Sequence, residues 1–110
     1  MKLSRQEEHW LKSYRQVLAQ QFPGLVEQIV IFGSKARETA TADSDLDVLV
    51  VICRGDWKLK DLVAAPGYEL SIGTDVVPSI MIYTQDEWEQ RRLDGAPFWQ
   101  TVNREGVVVG

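Results

Sequence analysis

Leu46 to Cys53, Leu-Asp-Val-Leu-Val-Val-Ile-Cys, is the strongest strand pattern in this chain, and it is apolar at both parities. Successive side chains of a strand point to opposite faces, so Val48, Leu49, Val50, Val51 and Ile52 need cover on both sides. A chain holding such a strand is expected to fold around it as a central element with layers on each face. With 110 residues the length is that of one domain, and we read residues 1–110 as a single domain with no room for a second substrate-binding module.

The flanking segments supply the layers. Ser4 and Glu7 have the spacing of a capping box, and Leu3, Trp10, Leu11, Tyr14, Val17 and Leu18 recur at helical intervals, which predicts a helix over residues 4–21. Pro23-Gly24 ends it, Val26 to Phe32 reads as a buried strand closed by Gly33, and Lys35 to Glu38 as the first turn of a short helix. Residues 39–44 are small and polar, as in a loop. Trp57 to Ala65 has weak helical periodicity, which Pro66-Gly67 is expected to interrupt before a second short helix at Tyr68 to Ile72. Asp75 to Tyr83 resumes the strand pattern, with Pro78 pointing to an edge position or a bulge. Thr84 and Glu87 repeat the capping-box spacing and open a helix over residues 85–94; Phe98 to Arg104 is a further short helix, and Val107 to Val109 a terminal strand or tail. The expected class is α+β, a small mixed sheet flanked by helices.

Bulk properties exclude several functions. A formal net charge of -4 works against tight binding of long nucleic acid, which depends on Lys and Arg neutralising several phosphates. Cys53 is alone in an apolar run, so neither a disulfide framework nor a Cys-based zinc site is available; it reads as a buried small hydrophobe. His9 is the only histidine and lies on the first helix, without partners for nucleophilic or zinc chemistry. Met1 to Trp10 has no continuous apolar region of a signal peptide, and no segment approaches the roughly 20 apolar residues of a membrane span, so a cytoplasmic protein is expected. Trp88, Phe98 and Trp99 read as core, with an exposed aromatic patch for a partner as the alternative.

The chemistry lies at two turns. Gly33 lets the backbone bend sharply and approach a ligand, and the Ser34 hydroxyl and its adjacent amide can donate to phosphate oxygens. Asp45 and Asp47 alternate into the central strand, so both project from one face, about 7 Å apart along the chain. Their hard oxygens suit magnesium, which takes one or two carboxylates together with water and substrate phosphates. The bland alternative, a solvated turn, is weakened because the pair leads directly into the most apolar strand, where an uncompensated charge is costly. Arg37 is placed to reach a phosphate with its guanidinium; Lys35 reads as solvated.

Gly33-Ser34, a ten-residue spacer and Asp45-Leu46-Asp47-Val48 together resemble the signature of the DNA-polymerase-beta-like nucleotidyltransferase superfamily. Gly-Ser-Lys-Ala-Arg with Ser-Asp-Leu-Asp is similar to its small minimal nucleotidyltransferase branch. So is the tail from Tyr83-Thr84 through Phe98-Trp99 to Arg104-Glu105-Gly106. The resemblance implies a polymerase-beta-like fold and transfer of a nucleoside monophosphate from an NTP, such as AMP from ATP, to an acceptor hydroxyl with release of pyrophosphate. It implies that Gly33, Ser34 and Arg37 hold the triphosphate and that Asp45 and Asp47 bind magnesium. It further implies a third carboxylate on a later strand, for which Asp75 is the first candidate and Glu69 the second; a turn Asp is the alternative for Asp75. Where the family has Gly after this Arg, the chain has Glu38, a departure that bears on catalysis more than on fold.

The resemblance also implies a partner, because such short proteins act as antitoxins to HEPN-domain ribonuclease toxins, some by adding AMP to a toxin tyrosine. Larger relatives that modify antibiotics carry an additional helical domain to hold the drug, which favours a protein acceptor here. Two alternatives stand beside the enzyme: a binding module that neutralises a partner by contact, and one protomer of a small-molecule nucleotidyltransferase completed by another chain.

Overall fold

A computed structural model of the chain describes residues 1–41 and 43–110; residue 42, within the expected loop 39–44, lies outside the described residues. The elements run α1 (Arg5–Gln21), β1 (Val26–Phe32), α2 (Gly33–Arg37), β2 (Leu46–Ile52), α3 (Trp57–Ser71), β3 (Pro78–Thr84), α4 (Gln85–Leu93), α5 (Pro97–Glu105) and β4 (Val107–Val108). The sheet order is β3-β2-β1-β4, with β2 parallel to β3 and the other two pairs antiparallel. This is the mixed α+β class that the sequence pattern predicts.

β2 occupies an inner position, and its two faces meet two different cores. Leu46, Val48, Val50 and Ile52 pack with Trp10, Leu11, Tyr14 and Leu18 of α1 and Val63 of α3. On the other face Leu49 and Val51 pack with Val30 and with Val102 of α5, extended by the half-buried Phe32, Tyr83, Trp88 and Phe98. Those four aromatic rings interlock at centroid distances of 5.2 to 5.9 Å, in edge-on and stacked pairs. Trp88 and Phe98 are thus core residues of this face, while Trp99 lines a small cavity of about 110 Å³ beside Val102 and Gly106.

Both capping boxes form. The Ser4 hydroxyl accepts from the Glu7 amide at 3.1 Å while Glu7 accepts from the Ser4 amide, and Thr84 and Glu87 repeat the reciprocal pair. The expected break at Pro66-Gly67 does not occur: α3 is one helix of 15 residues. Pro66 lacks the N–H that would bond the carbonyl of Leu62, a cost that local sequence makes visible. Tertiary contacts gather around this turn of the helix. The Tyr14 hydroxyl donates to the Val63 carbonyl and the Trp10 indole to the Gly67 carbonyl, both at 2.8 Å and both buried. Gly67 keeps this contact close, because a Cβ would push the end of the Ile80 side chain aside and approach the Tyr14 ring to 3.2 Å.

Pro78 opens β3, which is an edge strand, as its proline indicates. The outward amides of that edge are largely closed to a further strand: Pro78 has none, Ile80 donates to the Tyr68 hydroxyl at 3.0 Å, and Thr84 donates to Glu87 at 2.8 Å. Cys53 differs from expectation. It is half-buried just beyond β2, its thiol donating to Glu27 at 2.8 Å with the Gly24 carbonyl 3.3 Å from the sulfur, and the Glu27 bond pushes the thiol pKa up.

Candidate active site

The strand alternation puts Asp47 on the same face as Leu49 and Val51, the face covered by α4 and α5. Those helices reach only part of it. Leu49 and Val51 are buried beneath them, whereas Asp47 is half-buried and Asp45 exposed at the start of β2. In register, Asp47 lies between Phe32 of β1 and Ser79 of β3.

Gly33 closes over this point. It has φ +73°, the left-handed region that favours glycine. A Cβ built on it would collide with the Asp47 carboxylate, reaching Oδ2 and coming within 3.1 Å of Cγ. The Gly-Ser turn and the Asp-x-Asp strand, ten residues apart in sequence, are therefore in direct contact, and only glycine leaves the carboxylate room. Burial pushes the Asp47 carboxyl pKa up, the Asp45 charge adds to this, and the Arg37 guanidinium opposes it. Two carboxylates at an open sheet end, one of them held against ionisation by burial and its neighbour's charge, are a fit for a divalent cation, whose charge would reverse that cost.

The other predicted residues are placed as follows. Ser34 is the second residue of α2, half-buried, and its carbonyl accepts from the Thr39 amide at 3.0 Å. Arg37 ends α2 and donates to Glu105 of α5 at 2.9 Å, so that the guanidinium ties α2 to the covering helices and holds the Glu105 carboxyl below the usual range. Lys35 is not solvated. It pairs with Glu7 of α1 at 3.2 Å, with side chains only 11% and 8% exposed, and so anchors α2 to the first capping box. Glu38, standing where the family has Gly, has φ 63° and ψ 29° as the C-cap of α2. That conformation is the physical reason a glycine suits the position. Its carboxylate turns to the Met1 amino group at 3.6 Å.

Asp75 is not brought to the pair. Its carboxylate accepts from the Gln6 side-chain amide at 3.1 Å and its own amide donates to Gln6 at 3.0 Å, which ties it to α1. It borders an open cleft of about 370 Å³ with Gln6, Lys35 and Ser44. Glu69 is exposed on α3, the helix that covers the opposite face of the sheet. Among the described residues no group of three His, Cys, Asp or Glu side chains could hold a metal ion. The residue that does stand beside Asp47 is Ser79. Sequence reasoning missed it by seeking an acid near the start of the strand, whereas counting back in twos from Tyr83, on the aromatic face, would have found it.

Comparison with known proteins gives the family and the fold. The family described as nucleotidyltransferase domain matches residues 11–98. The chain belongs to that family. Its fold is shared by a chain from a crystal structure of a mutant toxin-antitoxin MntA-HpeT, with 19% identity, a TM-score of 0.58, and coverage of 99% of this chain and 73% of the other. It is shared too by a proposed nucleotidyltransferase from Sulfolobus solfataricus, with 20% identity, a TM-score of 0.55, and coverage of 97% and 87%. No curated protein matches the chain. Among the described residues no helix is long and apolar enough to cross a membrane.

Proposed function

We propose that this nucleotidyltransferase moves AMP from ATP to a hydroxyl on a protein partner, with Asp45 and Asp47 as the magnesium ligands. The observation that carries the reading is the contact of Gly33, in its left-handed conformation, with the Asp47 carboxylate beside Asp45, within a nucleotidyltransferase domain. Gly33 and Ser34 border the place where the triphosphate is to lie. Arg37, near enough to influence Asp47, stands at its edge and would have to share its guanidinium between Glu105 and a phosphate. In the reaction the acceptor oxygen attacks the α-phosphorus. One O–P bond forms, the bond from that phosphorus to the α,β-bridging oxygen breaks, and pyrophosphate leaves with the electron pair. The hydroxyl proton passes to a base or to water. Magnesium, when bound, supplies charge neutralisation on the transferring and leaving oxygens.

A role as the antitoxin of a HEPN-domain toxin is the partner reading we favour, supported by the fold shared with a chain of a toxin-antitoxin structure. The modest basic content, 12 Lys and Arg against 16 Asp and Glu, agrees with a protein acceptor rather than a long nucleic acid. Calorimetric titration of ATP, with magnesium and then with excess chelator, tests the site, and intact mass of the co-expressed partner tests transfer. Magnesium-dependent binding with a gain of one AMP mass or its multiples on the partner is the expected result. ATP binding that is indifferent to chelator would refute the metal assignment. A second reading, neutralisation by contact alone, is favoured by the want of a third acid beside Asp47 among the described residues. If Asp45→Ala and Asp47→Ala variants still neutralise the partner fully, that second reading holds.

A further inference from the structure

The register that places Asp47 in β2 also decides what stands next to it. β2 and β3 are parallel, with Asp47 opposite Ser79 and Leu49 opposite Met81. Neighbouring strands lie about 4.8 Å apart, so the side chain of residue 79 emerges on the face of Asp47, within reach of any ion the aspartates hold. This is where a further ligand would have to come from. Phe32 flanks Asp47 on the other side and offers only a ring, Asp75 is bound to Gln6, and Glu69 belongs to the helix on the opposite face.

A serine hydroxyl is neutral at physiological pH. It is a poor ligand for a hard dication compared with a carboxylate, and it cannot take a proton from an acceptor alcohol. Two dications held about 3.5–4 Å apart need bridging anionic ligands to offset their repulsion. Here two carboxylates are all that this chain gathers among its described residues. We propose that Ser79, standing where a third carboxylate would complete the site, limits it to one divalent cation per chain while no nucleotide is bound. The proposal rests on the reading of Asp45 and Asp47 as metal ligands.

The test counts manganese bound by the metal-free protein, from the electron paramagnetic resonance signal of the free ion, with manganese alone as the probe. Ser79→Asp, Ser79→Glu, Ser79→Asn and Asp47→Asn are compared with the wild type, and thermal melting identifies which variants are folded. The wild type and Ser79→Asn are expected to bind one ion each and Asp47→Asn to lose it. Ser79→Asp or Ser79→Glu should bind a second ion or hold the first at least tenfold more tightly. Two ions on the wild type would overturn the proposal. So would a folded acidic variant with the stoichiometry and affinity of the wild type while Asp47→Asn binds none. Undiminished binding by Asp47→Asn would instead overturn the metal-ligand reading beneath it.

Discussion

Replacing Gly33 by alanine tests the contact on which the site is built. Two costs follow from the geometry. At φ +73° an L-residue sits in the left-handed region, which costs about 1–2 kcal/mol. The added methyl also falls on the Asp47 carboxylate, and overpacking of this kind costs about 1–3 kcal/mol when the neighbour must shift. The expected loss is about 2–5 kcal/mol, and at about 4 °C per kcal/mol for a chain of this length Tm should fall by about 8–20 °C. A double-mutant cycle with Asp47→Ala separates the two terms, because the Asp47 atom that remains near the new methyl is then Cβ, at 3.4 Å, an ordinary contact. In that background Gly33→Ala should cost only its backbone share, leaving about 1–3 kcal/mol of coupling between the sites. Chemical denaturation of the four proteins measures it. A Gly33→Ala cost below about 0.5 kcal/mol, or one that is the same with and without the Asp47 carboxylate, would refute the reasoning.

Glu38→Gly should stabilise the protein by about 1 kcal/mol, visible as a raised denaturation midpoint, since it relieves a left-handed residue and gives up only a 3.6 Å contact with the Met1 amine. Lys35→Met should destabilise by about 3 kcal/mol, because it strands the buried Glu7 carboxylate; Glu7→Gln in the same background should recover part of the loss in urea unfolding. Without divalent cation, Asp47→Asn should be modestly more stable than the wild type at neutral pH. The sign follows from a folded-state pKa above the ordinary 3.8: the carboxyl is protonated in both states at acid pH, and its ionisation costs the folded state more as pH rises. The margin should therefore vanish on acidification in a pH series of thermal melts, and a margin that grows towards acid pH would contradict the assignment.

Much of this protein is determined by sequence of short range. The two capping boxes, the strand at Val26 to Phe32, the doubly buried strand at Leu46 to Ile52 and the edge placement of Pro78 each follow from neighbouring residues acting within a turn or a strand period. The turn at Gly33 and the alternation of Asp45 and Asp47 into a strand were legible for the same reason, whereas their joint use as one site came from the combined motif and the family it resembles. What only tertiary structure decided are contacts between segments far apart in the chain. α3 runs through a buried Pro66 beside the Val63 and Gly67 carbonyls, which Tyr14 and Trp10 of another helix bond. Lys35 and Arg37 are committed to Glu7 and Glu105 because α1 and α5 bring those acids to α2, a choice that charge alone in the sequence leaves open. Above all, the neighbour of Asp47 was set by strand register. A parallel pairing has no turn to announce it, so a shift of one residue would have turned Ser79 to the opposite face, and only the packed sheet fixes which side chain stands at the site.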